Sequence, residues 1–377
     1  MDANIKYDFK SIIKNFAFGG NLISIQPYGF GHINDTYAVY FSMPNGEMKR
    51  FILQRINSSV FKNPEKLMEN IQSVTTFLRN KIIQLGGDPE KETLNLIPAV
   101  DGKSFYKSDD ADYWRAYVFI EGAKTYQVVE KPEHLYNAGK AFGNFQKLLS
   151  DYPAETLYET IQDFHNTKVR FNTFVNVVEK DVMNRAKDVR QEIDFAIKRY
   201  DDAILFVNMQ KKGELPLRVT HNDTKFNNVM IDDKTGEGIC VIDLDTVMPG
   251  LSLYDFGDAI RAGANTGEED EKDLSKIRMD INLFEQFTKG FLSAAGSSLT
   301  KAELLHLPHS AKIMTYECGI RFLTDYLSGD TYFKIHREGH NLDRCRTQFK
   351  LVADMEQKFE QMQKITNGGI CNDIHVE

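Results

Sequence analysis

The chain predicts an α+β fold with a small, β-rich N-terminal lobe and a larger, mostly helical C-terminal lobe. Three observations carry this. Short β-favouring runs separated by polar or glycine-bearing turns fill residues 22–56; one long amphipathic helix follows; and beyond residue 122 the apolar period is helical, apart from a strand-rich island from Leu217 to Val247. At 377 residues the chain is longer than one hydrophobic core usually organises, so more than one unit is expected.

The opening strands read Leu22-Ile23-Ser24-Ile25, Thr36 to Phe41 and Arg50-Phe51-Ile52-Leu53, with Pro44-Asn45-Gly46 as a turn. Pro64-Glu65 then opens a helix to about Gln84. Leu67, Ile71, Val74, Leu78 and Ile82 fall on one face, and Gly86-Gly87 stops it. Two further strands are expected near Asn95–Val100 and Tyr113–Ile120. Glu121-Gly122 marks a hinge, giving an N-terminal lobe over 1–121 and a C-terminal lobe over 122–377. Helices are expected over Glu133–Leu149, Val175–Phe206, and near 279–295, 309–328 and 340–364. The acidic run Glu268-Glu269-Asp270-Glu271 reads as a solvated helix face or loop.

Composition removes several classes of function. With 46 Lys and Arg against 54 Asp and Glu, the net charge of -8 repels nucleic-acid phosphates, and no basic stripe compensates. Cys240, Cys318, Cys345 and Cys371 form no C-x-x-C pair, so neither a zinc site nor a redox motif is signalled. The N-terminus has no apolar h-region, and no run reaches the roughly 18 apolar residues of a membrane span, so a cytoplasmic protein is expected. Protein partners leave no signal.

The island carries the chemistry. In Val219-Thr220-His221-Asn222-Asp223-Thr224-Lys225-Phe226-Asn227-Asn228, a His lies two residues before an Asp and an Asn five after it, the spacing of a phosphoryl-transfer catalytic loop. A loop of this length turns the Asp223 carboxylate toward a substrate hydroxyl and brings the Asn228 carboxamide oxygen back to a magnesium ion. Lys225 reaches the transferring phosphoryl group and offsets its charge. Fifteen residues after Asn228, the apolar strand Ile242-Asp243-Leu244-Asp245 ends in two carboxylates, with Asp243 as metal ligand and Asp245 as a second contact.

Near the N-terminus, Tyr28-Gly29-Phe30-Gly31-His32-Ile33-Asn34-Asp35-Thr36 lies between the first two strands, where glycines let backbone amides approach phosphates. Gly29, Gly31, Asn34 and Thr36 are its nucleotide-binding candidates, although Asn34 replaces the third glycine of G-x-G-x-x-G; a plain hairpin turn is the competing reading.

These residues resemble the aminoglycoside phosphotransferase and choline kinase superfamily, whose fold is similar to that of protein kinases, and more closely the N-acetylhexosamine 1-kinases. The resemblance rests on Gly29–Tyr37, Leu53–Asn57, Val219–Lys225, Ile242–Gly250 and Arg321-Phe322-Leu323-Thr324-Asp325-Tyr326-Leu327, spread over nearly the whole chain. It implies a bilobal protein-kinase-like fold and ATP-dependent phosphorylation of the anomeric hydroxyl of N-acetylglucosamine or N-acetylgalactosamine. Asp223 is then the base, Asn228 and Asp243 hold Mg²⁺, and Arg321, Tyr332 and His32 meet the sugar.

The third strand departs from the protein-kinase pattern by ending Leu53-Gln54-Arg55 without a lysine. Strand alternation sends Gln54 and Arg55 to opposite faces, so only one reaches the nucleotide; Glu69 is a candidate acidic partner for such a base, with a solvated helix charge as the commoner reading. In Tyr117-Val118-Phe119-Ile120-Glu121-Gly122, the backbone of Phe119, Ile120 and Glu121 is placed to meet adenine. Between Arg321 and Arg346 stand five basic residues and four acidic ones, a near balance that favours a neutral acceptor over a polycation. An i,i+4 ion pair with Asp325 is the structural alternative for Arg321. The competing functions are a kinase of another small alcohol (choline, homoserine, an aminoglycoside or another sugar) and a nucleotide-binding pseudokinase.

Overall fold

A computed structural model of the chain describes residues 7–29, 31 and 33–372. His32 therefore lies outside the described residues. Two compact units emerge. The first is the chain up to Ala123 together with Ile239–Val247; the second is Lys124–Gly238 together with Met248 onward. The segment bearing Asp243 and Asp245 thus groups with the first unit, apart in this respect from the catalytic-loop sequence.

In the first unit, β1 (Asn21–Pro27), β2 (Asp35–Ser42), β3 (Met48–Ile56), β4 (Leu96–Ile97), β5 (Tyr106–Lys107) and β6 (Tyr113–Val118) form one antiparallel sheet in the order β1-β2-β3-β6-β4, with β5 also on β6. The strand expected over Asn95–Val100 shrinks to two residues. The sheet core is aromatic, with Phe16, Phe18, Phe41, Phe51 and Trp114 buried together behind the short helix α1 (Phe9–Ile13). Helix α2 (Pro64–Gln84) has its expected bounds. The Asn63 side chain accepts the Lys66 N–H, Pro64 occupies the first turn, and Gly86, at φ +76°, follows the helix end. Its five predicted apolar positions are all buried.

The second unit is helical: α3 (Pro132–Leu148), α4 (Thr167–Lys180), α5 (Arg190–Ile197), α6 (Tyr200–Lys211), α7 (Ser252–Gly263), α8 (Ile281–Ala295), α9 (Lys301–Leu327), α10 (His340–Gln357) and α11 (Phe359–Asn372). The stretch expected as one helix over Val175–Phe206 is broken, because Asp181 turns left-handed at φ +37° and ends α4. Helix α9 begins eight residues before the expected start. Thr300 and Glu303 form a reciprocal capping box, and Pro308 is carried inside the helix. The acidic run is not simply solvated: Asp270 pairs with Arg337 and His340, and Glu271 with Lys276. Among the described residues no helix is long and apolar enough to cross a membrane.

Two packing features set the stage for the site. Strands β7 (Ala123–Lys124), β8 (Arg218–Thr220), β9 (Val229–Asp232), β10 (Gly238–Val241) and β11 (Met248–Gly250) complete the order, and β8, which leads into the catalytic-loop sequence, pairs antiparallel with β11, which leads into α7. Glu303 on α9 fastens both: its carboxylate accepts Arg218 Nε at 2.5 Å and Nη2 at 2.7 Å, and the Ser252 hydroxyl at 2.6 Å. Helices α3 and α8 cross almost backbone to backbone. A Cβ on Gly290 would stand 2.0 Å from Tyr136 O, and one on Gly139 2.4 Å from Phe287 O. Neither obstacle is a flexible side chain that could swing away, so Gly290→Ala is expected to lower stability by about 2–3 kcal/mol in thermal or urea unfolding.

Candidate active site

The turn after β8 is held from beneath by α7. Asp255 accepts the His221 N–H at 3.0 Å and the Asn222 N–H at 2.8 Å, one on each oxygen, and the Gln146 amide of α3 at 2.9 Å. Asp258, one turn along, accepts the Thr224 N–H at 3.0 Å, while the Thr224 hydroxyl donates to the Asp255 carbonyl at 2.6 Å. These bonds hold Asn222 at φ +65°, a left-handed conformation that L-residues seldom adopt unsupported. Burial raises the Asp255 carboxyl above its ordinary value. Burial would also raise Asp258, but Arg261, Lys225 and His165 outweigh it and hold that carboxyl low. Sequence reading missed both residues, since two Asp at i,i+3 on a helix signal only a polar face.

The turn projects Asp223 with both oxygens engaged. Lys225 Nζ lies 2.9 Å from Oδ1, and the Asn228 amide donates to Oδ2 at 3.3 Å and to the Asp223 carbonyl at 2.8 Å. The ammonium of Lys225 is raised above its ordinary value chiefly by Asp223. The three residues picked from the H-x-D-x-x-x-x-N interval therefore converge in space.

Elsewhere in the same unit, Arg321 on α9 lies between two rings, its guanidinium carbon 5.4 Å from the Phe164 centroid and 5.6 Å from that of Phe333. The i+4 ion pair with Asp325 does not form. Asp325 instead accepts the N–H groups of Thr331, Tyr332 and Phe333 and the Asn341 amide, fixing the loop that presents Tyr332, 68% exposed. Among the described residues no carboxylate comes within ion-pair distance of Arg321. A second guanidinium, Arg170, is lowered first by burial and then by repulsion from Arg321; its nitrogens donate to the Phe164 carbonyl. Nothing in the sequence spacing marked Arg170.

In the first unit, Gly29 at φ +81° and Gly31 have open space where a Cβ would sit, leaving backbone exposed to a ligand. Asn34 anchors this loop: its amide donates to Asp245 Oδ2 at 2.6 Å, and its oxygen accepts the Asn57 N–H at 3.0 Å. Gln54 and Arg55 do take opposite faces. Arg55 pairs with Asp35 and Asp112. Gln54 accepts Arg115 Nε at 3.0 Å and donates to the Thr36 hydroxyl at 3.0 Å. Arg115, opposite Gln54 on β6 and buried, pairs with Asp245 Oδ1. The acidic partner of the buried base is therefore Asp245, and the exposed Glu69 takes no such part. Asp245, expected to touch a metal, has both oxygens hydrogen-bonded within the unit. Asp243 precedes it in a left-handed conformation, φ +60°. Phe119 and Ile120 are buried, Arg50 covers the Phe119 ring at 3.6 Å, and Glu121 chelates Arg50 through two 2.7 Å bonds.

Among the described residues no three His, Cys, Asp or Glu side chains gather as a metal cage. Magnesium rarely uses one, being held by one or two carboxylates with substrate phosphates and water.

Residues 24–278 match the model of a phosphotransferase enzyme family. An aminoglycoside phosphotransferase of Alicyclobacillus acidocaldarius superposes with a TM-score of 0.62 at 11% identity, covering 98% of each chain. A microcompartment-associated aminopropanol kinase follows at 0.58 and 15%, over 93% of this chain and 96% of its own. A spectinomycin phosphotransferase solved with ADP and spectinomycin gives 0.56 and 14%, over 92% and 96%. The shared architecture is a kinase-like α+β fold. With more than half its length matching the family model and a loop that gathers an Asp, a Lys and an Asn at one point, the chain belongs to the phosphotransferase enzyme family.

Proposed function

We propose that the chain uses ATP to phosphorylate the anomeric hydroxyl of an N-acetylhexosamine, giving the sugar 1-phosphate and ADP. The observation that carries the choice of acceptor is the Arg321–Arg170 pair, two guanidiniums around Phe164 without a carboxylate ion-paired to either among the described residues. Such a pair of cations disfavours aminoglycosides and amino alcohols, and it offers donors to hydroxyl and acetamido oxygens. The rings of Phe333 and Tyr332 beside Arg321 suit the apolar face of a pyranose. ADP in the spectinomycin enzyme supports a nucleotide donor.

Asp223 orients the anomeric O–H and receives its proton as oxygen bonds to the γ-phosphorus and the bond to ADP breaks. Lys225 stands beside that carboxylate and offsets charge on the equatorial oxygens. The open backbone at Gly29 and Gly31 suits phosphate, with Asn34 and Thr36 holding the loop and Gln54, backed by Arg115, facing it. The backbone of Phe119, Ile120 and Glu121 is assigned to adenine. Asn228 and Asp243 are the ligands assigned to Mg²⁺, which when bound neutralises phosphate charge; Asp245 serves as their neighbour's anchor. Arg321 and Tyr332 bind the sugar, as does His32 by resemblance.

An ADP-release assay over N-acetylglucosamine, N-acetylgalactosamine, glucose, choline, aminopropanol and spectinomycin tests the reading. Turnover confined to the N-acetylhexosamines is expected, with phosphorus NMR placing the phosphate on C1; turnover on an amino alcohol or spectinomycin instead overturns the acceptor. Asp223→Asn is expected to lower kcat by about 10³-fold or more with nucleotide still bound. Asp255→Asn, which replaces one of the loop's carboxylate acceptors by an N–H donor, is expected to reduce kcat about 100-fold with KM little changed, read in the same assay.

A further inference from the structure

The catalytic turn has a second support, supplied by the segment just before α4 and by α9. His165, buried just before α4, places Nδ1 2.8 Å from Glu317 Oε1 and Nε2 3.1 Å from the Asn222 carbonyl. Glu317, buried in α9, also takes the Thr167 hydroxyl at 2.6 Å on its other oxygen. Burial would raise that carboxyl, but His165, Arg321 and Thr167 outweigh it and hold it low; the hydroxyl that Thr167 donates and the Arg321 charge one turn along α9 favour the ionised acceptor independently of the imidazole. The Asn222 carbonyl is an acceptor too. A neutral imidazole has one donor and one acceptor nitrogen, so between two acceptors it would set a lone pair against an oxygen. Only an imidazolium satisfies both.

We propose that His165 is a positioning residue held as an imidazolium, which clamps the Asn222 carbonyl to Glu317 and so fixes the strained residue immediately before Asp223. The inference rests on Asp223 being the base. It also deepens the acceptor assignment: with Glu317 neutralised by His165, the charge on Arg321, one turn further along α9, is left for the substrate. The groups facing His165 are Glu317 from α9, Asp258 and Tyr254 from α7, and the ring of Phe164, whose carbonyl Arg170 occupies. Asp258 adds negative charge in favour of the cation. Raising the pH until the second proton leaves removes one of the two bonds and frees the Asn222 carbonyl.

The decisive experiment is imidazole ¹⁵N NMR of the full-length protein labelled at histidine, with the His165 signals identified by their loss in His165→Gln or, if that variant does not fold, by their shift in Glu317→Gln. Two protonated nitrogens at pH 7 are expected; a single protonated nitrogen overturns the proposal. Kinetically, His165→Gln keeps a donor to only one of the acceptors and is expected to lower kcat about 30-fold, with KM for nucleotide and acceptor within threefold. An alkaline fall of kcat is expected in the wild type and is expected to be absent from the variant. A His165→Gln variant with wild-type kcat, or one whose alkaline limb is unchanged, overturns the positioning role. Retained activity in Asp223→Asn sinks the base assignment alone, because the NMR signal reads the imidazolium whether or not Asp223 is the base.

Discussion

The geometry of the candidate site depends on one constraint: the four backbone N–H groups of the turn 221–224 must be bonded in a largely buried setting, and the carboxylates of Asp255 and Asp258 bond three of them while His221 Nδ1 takes the fourth. An unpaired buried amide costs about 1–3 kcal/mol, so the turn and α7 stabilise each other or neither is stable. Everything that seats α7 therefore acts on the site. Gln146 reaches Asp255 from α3, α3 lies against α8 through a glycine contact, and Glu303 ties the starts of β8, α7 and α9 into one knot.

The first unit solves a similar problem with the opposite sign. A buried guanidinium, Arg115, is tolerated because Asp245 and Gln54 meet its donors, and Asp245 has an oxygen left for Asn34. One carboxylate thereby links β6, the glycine-bearing loop and the segment that carries Asp243. A buried pair of this kind contributes little net stability once desolvation is counted. Its value lies in register: loop and segment cannot shift independently without stranding a charge.

How much of this was legible in the sequence follows from how local each signal is. The interval from Asp223 to Asn228 is contained in one turn, so spacing alone located the Asp, the Lys and the Asn that the fold brings together. The three opening strands and α2 were legible because period, cap and stop all agreed. Asp255, Asp258, His165 and Glu317 were not, since each acts through a partner 33 to 152 positions away and looks locally like an ordinary helix or loop residue. Helix α9 was misjudged at its start because Pro308 reads as a boundary, whereas a capping box eight residues earlier sets the true one. The choice between Gln54 and Arg55 needed the strand register, which places Gln54 opposite Arg115.

The distribution of exposure around Asp223 bears on how the site works. Asn228 is buried, whereas the Lys225 side chain is half exposed on a flexible stem. The amide is fixed with the turn, while the ammonium, a compact charge with rotatable donors, can leave one oxygen for another at little cost. Before substrate arrives, Lys225 neutralises the carboxylate and prevents a bare charge from facing a partly desolvated site. On the proposed reading, negative charge developing on a transferring phosphoryl group offers the same ammonium a stronger partner within reach of its stem, which releases Asp223 to accept a proton. The pairing that stabilises the resting site and the charge compensation needed in transfer thus come from one side chain, so an isosteric neutral residue at 225 would lose both.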